Sequence, residues 1–257
     1  MTPLTEKSNR VAAAIKLQRP AGRRHAARFL AEGPNLVEAA LRRGLVEEVF
    51  VTEDAHARFA DLLADTPVHE VTVRAAEALS DTVTPVGLIA VCEIPEVSLS
   101  EVLDAPRLVA VAVETSDPGN AGTLIRLADA MGADALILAG DSVDPYNPKC
   151  LRASAGSIFG LPVVQVPDTL ALLATLRDAG LQVLATTLDG STPLPSVDLS
   201  VPTAWLLGSE AHGLAPDTAA AADAQVTIPM RGSAESLNVA AAAAICLYAS
   251  ARAQSGQ

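Results

Sequence analysis

Three short segments carry side chains whose types and spacing suit ligand chemistry. The first, Glu114-Thr-Ser-Asp-Pro-Gly-Asn-Ala-Gly-Thr-Leu-Ile-Arg126, follows a nearly continuous apolar run and leads into a helical pattern. It therefore stands where a buried parallel strand ends, a position at which ligands collect and the free N–H groups of the next helix can bind an anion. Asn120 is suited to cap that helix. Leu124, Leu127, Ala128 and Met131 form an apolar stripe, and Arg126 projects away from it. A cation this close to a helix N-terminus opposes the dipole. It is either a ligand-binding arginine, a surface one, or one paired with a neighbouring acid.

The second segment, Trp205-Leu-Leu-Gly-Ser-Glu-Ala-His-Gly-Leu214, again leaves an apolar strand for a loop. Gly208 and Gly213 let backbone approach a ligand closely, and Glu210 sits at the loop tip. No Gly-Lys-Ser/Thr follows and no GxGxxG precedes, which excludes a phosphate loop and the dinucleotide fingerprint. His212 has no companion ligands and reads as a plain loop histidine. The third segment, Ile228-Pro-Met-Arg-Gly-Ser-Ala-Glu-Ser-Leu-Asn-Val239, joins a strand end to the last helix. Ser236 reads as that helix's cap. Asn238 then falls inside an otherwise Leu/Val/Ala helix, where a buried amide needs several partners, and this points to a site role.

These loops need a parallel sheet to bring them together. Apolar runs at 108–113, 135–138, 163–166, 183–187, 204–207 and 226–228 read as strands buried on both faces, separated by helical patterns near 121–131, 170–179, 217–222 and 237–252. Before them, Gly33-Pro34 opens an amphipathic helix that stops at Gly44, and strands near 46–51, 68–73 and 86–93 alternate with helices near 56–63 and 75–79. The fold class is α/β. Residues 94–107 have a linker composition, which sets two domains, 1–104 and 105–257.

Among 257 residues half are apolar, without the apolar core of a signal peptide or a membrane-spanning run, which predicts a soluble cytoplasmic protein with no membrane partner. The three cysteines, Cys92, Cys150 and Cys246, form no CxxC pair, so neither a disulfide framework nor a metal site is expected. A net charge of −12 taken alone argues against nucleic acid, because phosphate binding needs Lys and Arg. Residues 1–31, however, hold Lys7, Arg10, Lys16, Arg19, Arg23, Arg24 and Arg28 against Glu6 alone. That basic segment is either a solvated terminus or an RNA contact.

In this order and spacing, Gly119-Asn120-x-Gly122-Thr123-x-x-Arg126, Leu207-Gly208-Ser209-Glu210-x-x-Gly213 and Ser236-Leu237-Asn238-Val239 resemble the three motifs of the SpoU family of RNA 2'-O-ribose methyltransferases, of the SPOUT class. The basic segment with Phe29-Leu-Ala-Glu-Gly33 is similar to the small L30-like RNA-binding domain that precedes many family catalytic domains. The resemblance implies a deep trefoil knot, which chain-topology rules would not have predicted. It also implies S-adenosylmethionine held by Thr186, Thr187, Gly208, Ile228, Met230 and Leu237.

Methyl transfer aligns a ribose oxygen, the methyl carbon and sulfur, and needs no metal. By resemblance Arg126 contacts the hydroxyl or adjacent phosphate, and Asn120, Glu210, Ser236 and Asn238 complete the catalytic set. Family accounts sometimes make this arginine the proton acceptor, but a guanidinium stays protonated and is better suited to positioning. Arg19, Arg23, Arg24, Arg28 and, in a further family-like segment, Arg152 would contact RNA phosphates; Arg152 reads equally as a surface arginine. Large-subunit (23S) rRNA is the first expected substrate and tRNA the second, with a homodimer packed through the knot region. Rival readings are a catalytically inactive RNA-binding protein of this fold and a nicotinamide enzyme on an ordinary doubly wound sheet.

Overall fold

A computed structural model describes residues 2–255 and divides into two compact units. One comprises the chain up to Glu96 together with Tyr146–Phe159, the other Val97–Pro145 and the chain from Gly160 onward. The compact units part after Glu96, and Tyr146–Phe159 packs with the first of them.

In chain order the first unit holds α1 (Asn9–Ile15), α2 (Pro20–Ala26), β1 (Arg28–Glu32), α3 (Pro34–Arg42), β2 (Val46–Val51), α4 (Glu53–Arg58), α5 (Ala60–Leu63), β3 (Val68–Glu70), α6 (Val73–Leu79) and β4 (Leu88–Glu93). Its sheet runs β1-β4-β2-β3, with β4 antiparallel to both neighbours and β2 parallel to β3. Alternation sends Leu30, Phe50, Ile89 and Val91 to one face, against Val11 and Leu17 of the N-terminal segment and Ala75, Ala76 and Leu79 of α6. The basic N-terminal stretch is therefore packed structure, with only one side facing out.

The second unit contributes α7 (Leu99–Val102), β5 (Leu108–Val113), α8 (Pro118–Ala130) and β6 (Ala135–Ala139). The chain then passes through α9 (Pro148–Ser154), which belongs to the first unit, before β7 (Val163–Val166), α10 (Thr169–Asp178), β8 (Gln182–Thr186), β9 (Thr192–Pro193), β10 (Thr203–Leu207), α11 (Pro216–Ala220), β11 (Ala224–Thr227) and α12 (Val239–Gln254). All strands of the seven-stranded sheet are parallel, in the order β7-β6-β5-β10-β8-β11-β9.

One face of that sheet packs Val109, Val111, Val183 and Leu206 against Leu172, Leu173 and Leu176 of α10. The other is covered by α8 and α12, and there the Trp205 indole N–H donates to Ser250 Oγ at 2.9 Å with both side chains buried. Burying both faces explains why these strands read as continuous apolar runs rather than alternating ones. Among the described residues, no helix is long and apolar enough to cross a membrane.

Within the first unit, the segment 146–159 covers the face of β1 opposite α1. Phe29 is fully buried, with ring centroids 4.8 Å from Tyr146 and 6.0 Å from Phe159. The Arg43 Nε–H donates to the Phe159 carbonyl, and Arg152 pairs with Asp81, Nη2 lying 3.2 Å from Oδ2.

Candidate active site

Strand order reverses between β5 and β10, since β6 and β7 build outward on one side and β8 and β11 on the other. Outside the carboxyl ends of such strands an open parallel sheet offers a crevice. The loops after β5 and β10 are the first and second sequence segments, and the loop after β11 is the third. Topology alone therefore brings all three to one end of the sheet.

At the ends of β8, β10 and β11 lies a cavity of about 650 Å³, within the range of small-molecule sites. Thr186, Thr187, Gly208, Ile228, Met230 and Leu237 all line it, as do Glu210 and Ser236. The two threonines differ. Thr186 Oγ1 donates to the Leu206 carbonyl at 2.8 Å and is spent inside the sheet. Thr187 Oγ1 is buried with no hydrogen-bond partner among the described residues. A buried hydroxyl left unpaired costs about 1–3 kcal/mol, and this one sits behind the cavity wall rather than on its accessible surface.

Gly208 is required by close approach. A Cβ there would stand 2.3 Å from the Gly213 carbonyl carbon and 2.5 Å from the Leu214 nitrogen. The loop folds back because Ser209 and Gly213 exchange backbone hydrogen bonds, Ser209 N–H to Gly213 O at 3.1 Å and Gly213 N–H to Ser209 O at 2.9 Å, with Gly213 at φ +67°. This tight return carries Glu210 at its tip. The exposed His212 lies on the cavity wall as part of the same loop.

Asn120, Arg126 and Asn238 lie outside the cavity lining. Asn120 is joined to it, because its side-chain amide donates to Glu210 Oε1 and so links the first segment to the second. The helix cap here is Asp117, whose Oδ1 accepts the Asn120 N–H at 2.9 Å, which leaves the Asn120 side chain available for that link. At the third segment the expected roles exchange. The helix begins at Val239, and Asn238 is its cap, accepting the Ala240 N–H at 2.8 Å, while Ser236 lies on the cavity wall. Asn238 is exposed, so the buried-amide reasoning does not apply. Arg126 points from α8 into solvent.

The arginines expected to meet RNA divide into two groups. Arg19 and Arg24 are exposed. Arg23, by contrast, is 1 % exposed, and its guanidinium donates to the Leu17 and Gln18 carbonyls at 3.0 Å each. It satisfies carbonyl groups near the turn between α1 and α2 and cannot face a partner. Arg28 grips both Glu47 carboxylate oxygens, which raises its own pKa and lowers that of Glu47, chiefly through the side-chain hydrogen bond. Arg152 is similarly held by Asp81. Sequence reasoning also missed Leu188 and Asp189, which line the cavity just beyond β8. Their signal was position, since residues following a parallel strand's carboxyl end are the ones that meet ligands.

The chemistry of the cavity matches a ligand with an apolar body and a few hydrogen-bonding groups. Leu188, Val226, Ile228, Met230 and Leu237 supply apolar wall, while Asp189, Glu210 and Ser236 supply polar groups. Residues 107–248 match the SpoU rRNA Methylase family, and residues 8–90 match the MRM3-like substrate binding domain. The chain belongs to the SpoU family. Among SpoU relatives, a 23S rRNA (guanosine(2553)-2'-O)-methyltransferase of Bacillus subtilis is 37 % identical over 221 residues, covering 86 % of this chain and 87 % of the relative. The SpoU methyltransferase AviRb from Streptomyces viridochromogenes, solved in complex with AdoMet, superposes with a TM-score of 0.84 at 31 % identity, covering 96 % of this chain and 98 % of that one. A crystal structure of an RNA 2'-O ribose methyltransferase gives 0.86 at 33 % identity over the whole of both chains.

Proposed function

We propose that this SpoU-family enzyme transfers a methyl group from S-adenosylmethionine to a ribose 2'-hydroxyl of large-subunit (23S) rRNA. The carrying observation is the cavity at the ends of β8, β10 and β11, walled by Thr187, Gly208, Ile228, Met230 and Leu237 and tied through Glu210 to Asn120 of α8. Bound there, the cofactor supplies an electrophilic methyl carbon. The absence of a side chain at Gly208 lets the loop close over the cavity.

Arg126 holds the substrate. Its guanidinium suits binding an adjacent phosphate or stabilising the developing alkoxide, while the hydroxyl proton leaves to water and breaking of the methyl–sulfur bond leaves S-adenosylhomocysteine. The Asn120–Glu210 hydrogen bond fixes the distance between that substrate-facing helix and the cavity. Ser236 completes the wall, and Asn238 acts by starting α12. Arg19 and Arg24 position RNA phosphates on the first unit, for which an L30-like fold is proposed.

Three finer features belong to this reading. The placement of β10 between β5 and β8, with β11 beyond, supports a trefoil knot around the cavity. The outer face of α12, where Ile245 and Tyr248 are exposed beside Met131 and Arg252, supports a homodimer. A cytoplasmic setting goes with an rRNA substrate.

Incubation with labelled S-adenosylmethionine and separated 23S rRNA, 16S rRNA and tRNA tests the proposal. Label in a 2'-O-methyl nucleotide of 23S rRNA is the expected result. Label in tRNA alone would move the substrate assignment, and RNA binding without label would leave an inactive RNA-binding protein.

A further inference from the structure

The joint between β5 and α8 is held from outside the three motifs. After Val113 the chain turns at Glu114, which adopts φ +52°, a left-handed conformation rare for a residue with a side chain. Its N–H still continues the ladder to Ala139 O at 3.0 Å. Thr115 follows, fully buried, and both of its backbone polar groups are taken by the loop after β6. Its N–H donates to Ser142 Oγ at 3.1 Å, and its carbonyl accepts the Val143 N–H at 2.9 Å. The Ser142 hydroxyl in turn donates to Ala139 O at 2.7 Å. Two residues after Thr115 comes Asp117, the cap of the helix that carries Asn120 and Arg126.

The Val143 bond is backbone and any residue could make it. Ser142 Oγ is different, because it is the acceptor for a buried N–H at the point where the chain is already bent against its preference. Without that acceptor the 114–115 peptide would rotate to reach another partner, releasing the left-handed turn and redirecting the first turn of α8. We infer that Ser142 is a positioning residue for methyl transfer, setting the direction in which α8 presents Asn120 to Glu210 and Arg126 to the substrate. This rests on the assignment of Asn120 and Arg126 to the active site.

Steady-state methyl transfer by the full-length enzyme, with S-adenosylhomocysteine titration and thermal melting alongside, tests the role. Ser142→Ala is expected to lower kcat by about 30-fold, since small misplacements of reacting groups cost on the order of 100-fold. Cofactor affinity is expected to stay within about twofold. Ser142→Thr keeps the hydroxyl and is expected to restore most of kcat. In Ser142→Ala/Asn120→Ala the losses should be less than multiplicative, because both changes act on one arrangement. If Ser142→Ala does not fold, kcat is expected to fall in the order Ser, Thr, Cys at this position.

An unchanged kcat, fully multiplicative losses, or a kcat that falls only in step with the folded fraction would overturn the inference. Arg126→Ala in the same assay separates the two levels. Full activity there removes the active-site assignment and the Ser142 role with it, whereas loss in Arg126→Ala beside wild-type kcat in Ser142→Ala removes the Ser142 role alone.

Discussion

The cavity at the ends of β8, β10 and β11 and the helix surface of α8 are two halves of one proposed site, built on opposite principles. The cavity is a concave pocket of loop backbone and apolar wall with polar groups such as Asp189 and Ser236 among them, and Gly208 is closed against Gly213. The α8 side is made of polar side chains on a rigid element, with Arg126 in solvent and Asn120 reaching across to Glu210. The difference fits their tasks. A small cofactor is met by a concave pocket, while a charged polymer is met by exposed guanidinium and amide groups that gain strength once water is excluded.

If the halves are truly separate, substitutions should split cleanly between chemistry and cofactor affinity. The largest effect is expected from Arg126→Ala, with kcat falling on the order of 10²- to 10³-fold, the scale of losing one charge-stabilising group. S-adenosylhomocysteine affinity by calorimetry should stay within about twofold. A matching loss of cofactor affinity would merge the two halves. Next comes Gly208→Ala, where a Cβ 2.3 Å from a backbone carbon forces the loop open. Cofactor affinity should drop by about tenfold or more, as for a buried group forced from its place by ~1.4 kcal/mol. Unchanged affinity would show that the loop is not part of the pocket.

A smaller effect sharpens the contrast between adjacent threonines. Thr187→Val removes a buried hydroxyl that has no partner within the described chain, so the melting temperature should hold or rise. Thr186→Val should do the reverse, destabilising the sheet by about 1 kcal/mol with little change in affinity, because its hydroxyl is committed to Leu206 O. Equal behaviour of the pair would contradict the distinction.

The smallest effect lies in α12, which follows the cavity's third loop. Burial pushes the Cys246 thiol up from 9.0 to about 12. The unfolded chain therefore loses this proton first, and stability is full below pH 9 and declines as pH rises from 9 towards 12. For this group the decline is about 1 kcal/mol between pH 9 and 10, and chemical denaturation of Cys246→Ala should show that part of the alkaline slope removed.

Parallel strands were legible in the sequence because burial on both faces leaves continuous apolar runs such as 108–113. The three loops were legible because they follow those runs. Helix caps were not. Asn120 was expected to cap α8 and Ser236 to cap α12, yet Asp117 and Asn238 do so, because a cap is defined by where backbone dihedrals change and several capable residues stand within one turn. Arg23 misled for a different reason. Charge argues for solvent, but the Arg23 Nη1 group donates to two carbonyls of the α1–α2 turn and holds the guanidinium indoors. The orphaned Thr187 hydroxyl and the Ser142–Thr115 bond are relations between distant segments, which no local pattern encodes.

The transfer of residues 146–159 to the first unit also bears on the order in which the chain can fold during synthesis. The sheet containing Phe29 is complete once Glu93 has emerged, but the aromatic partners of Phe29 arrive with Tyr146 and Phe159. At about 5 to 20 residues per second the ribosome needs several seconds to add that stretch. For that interval α3 covers part of that face and the Phe29 ring lacks its aromatic partners, so a nascent chain of this protein has a window of partial exposure that a simple two-domain tandem would not have.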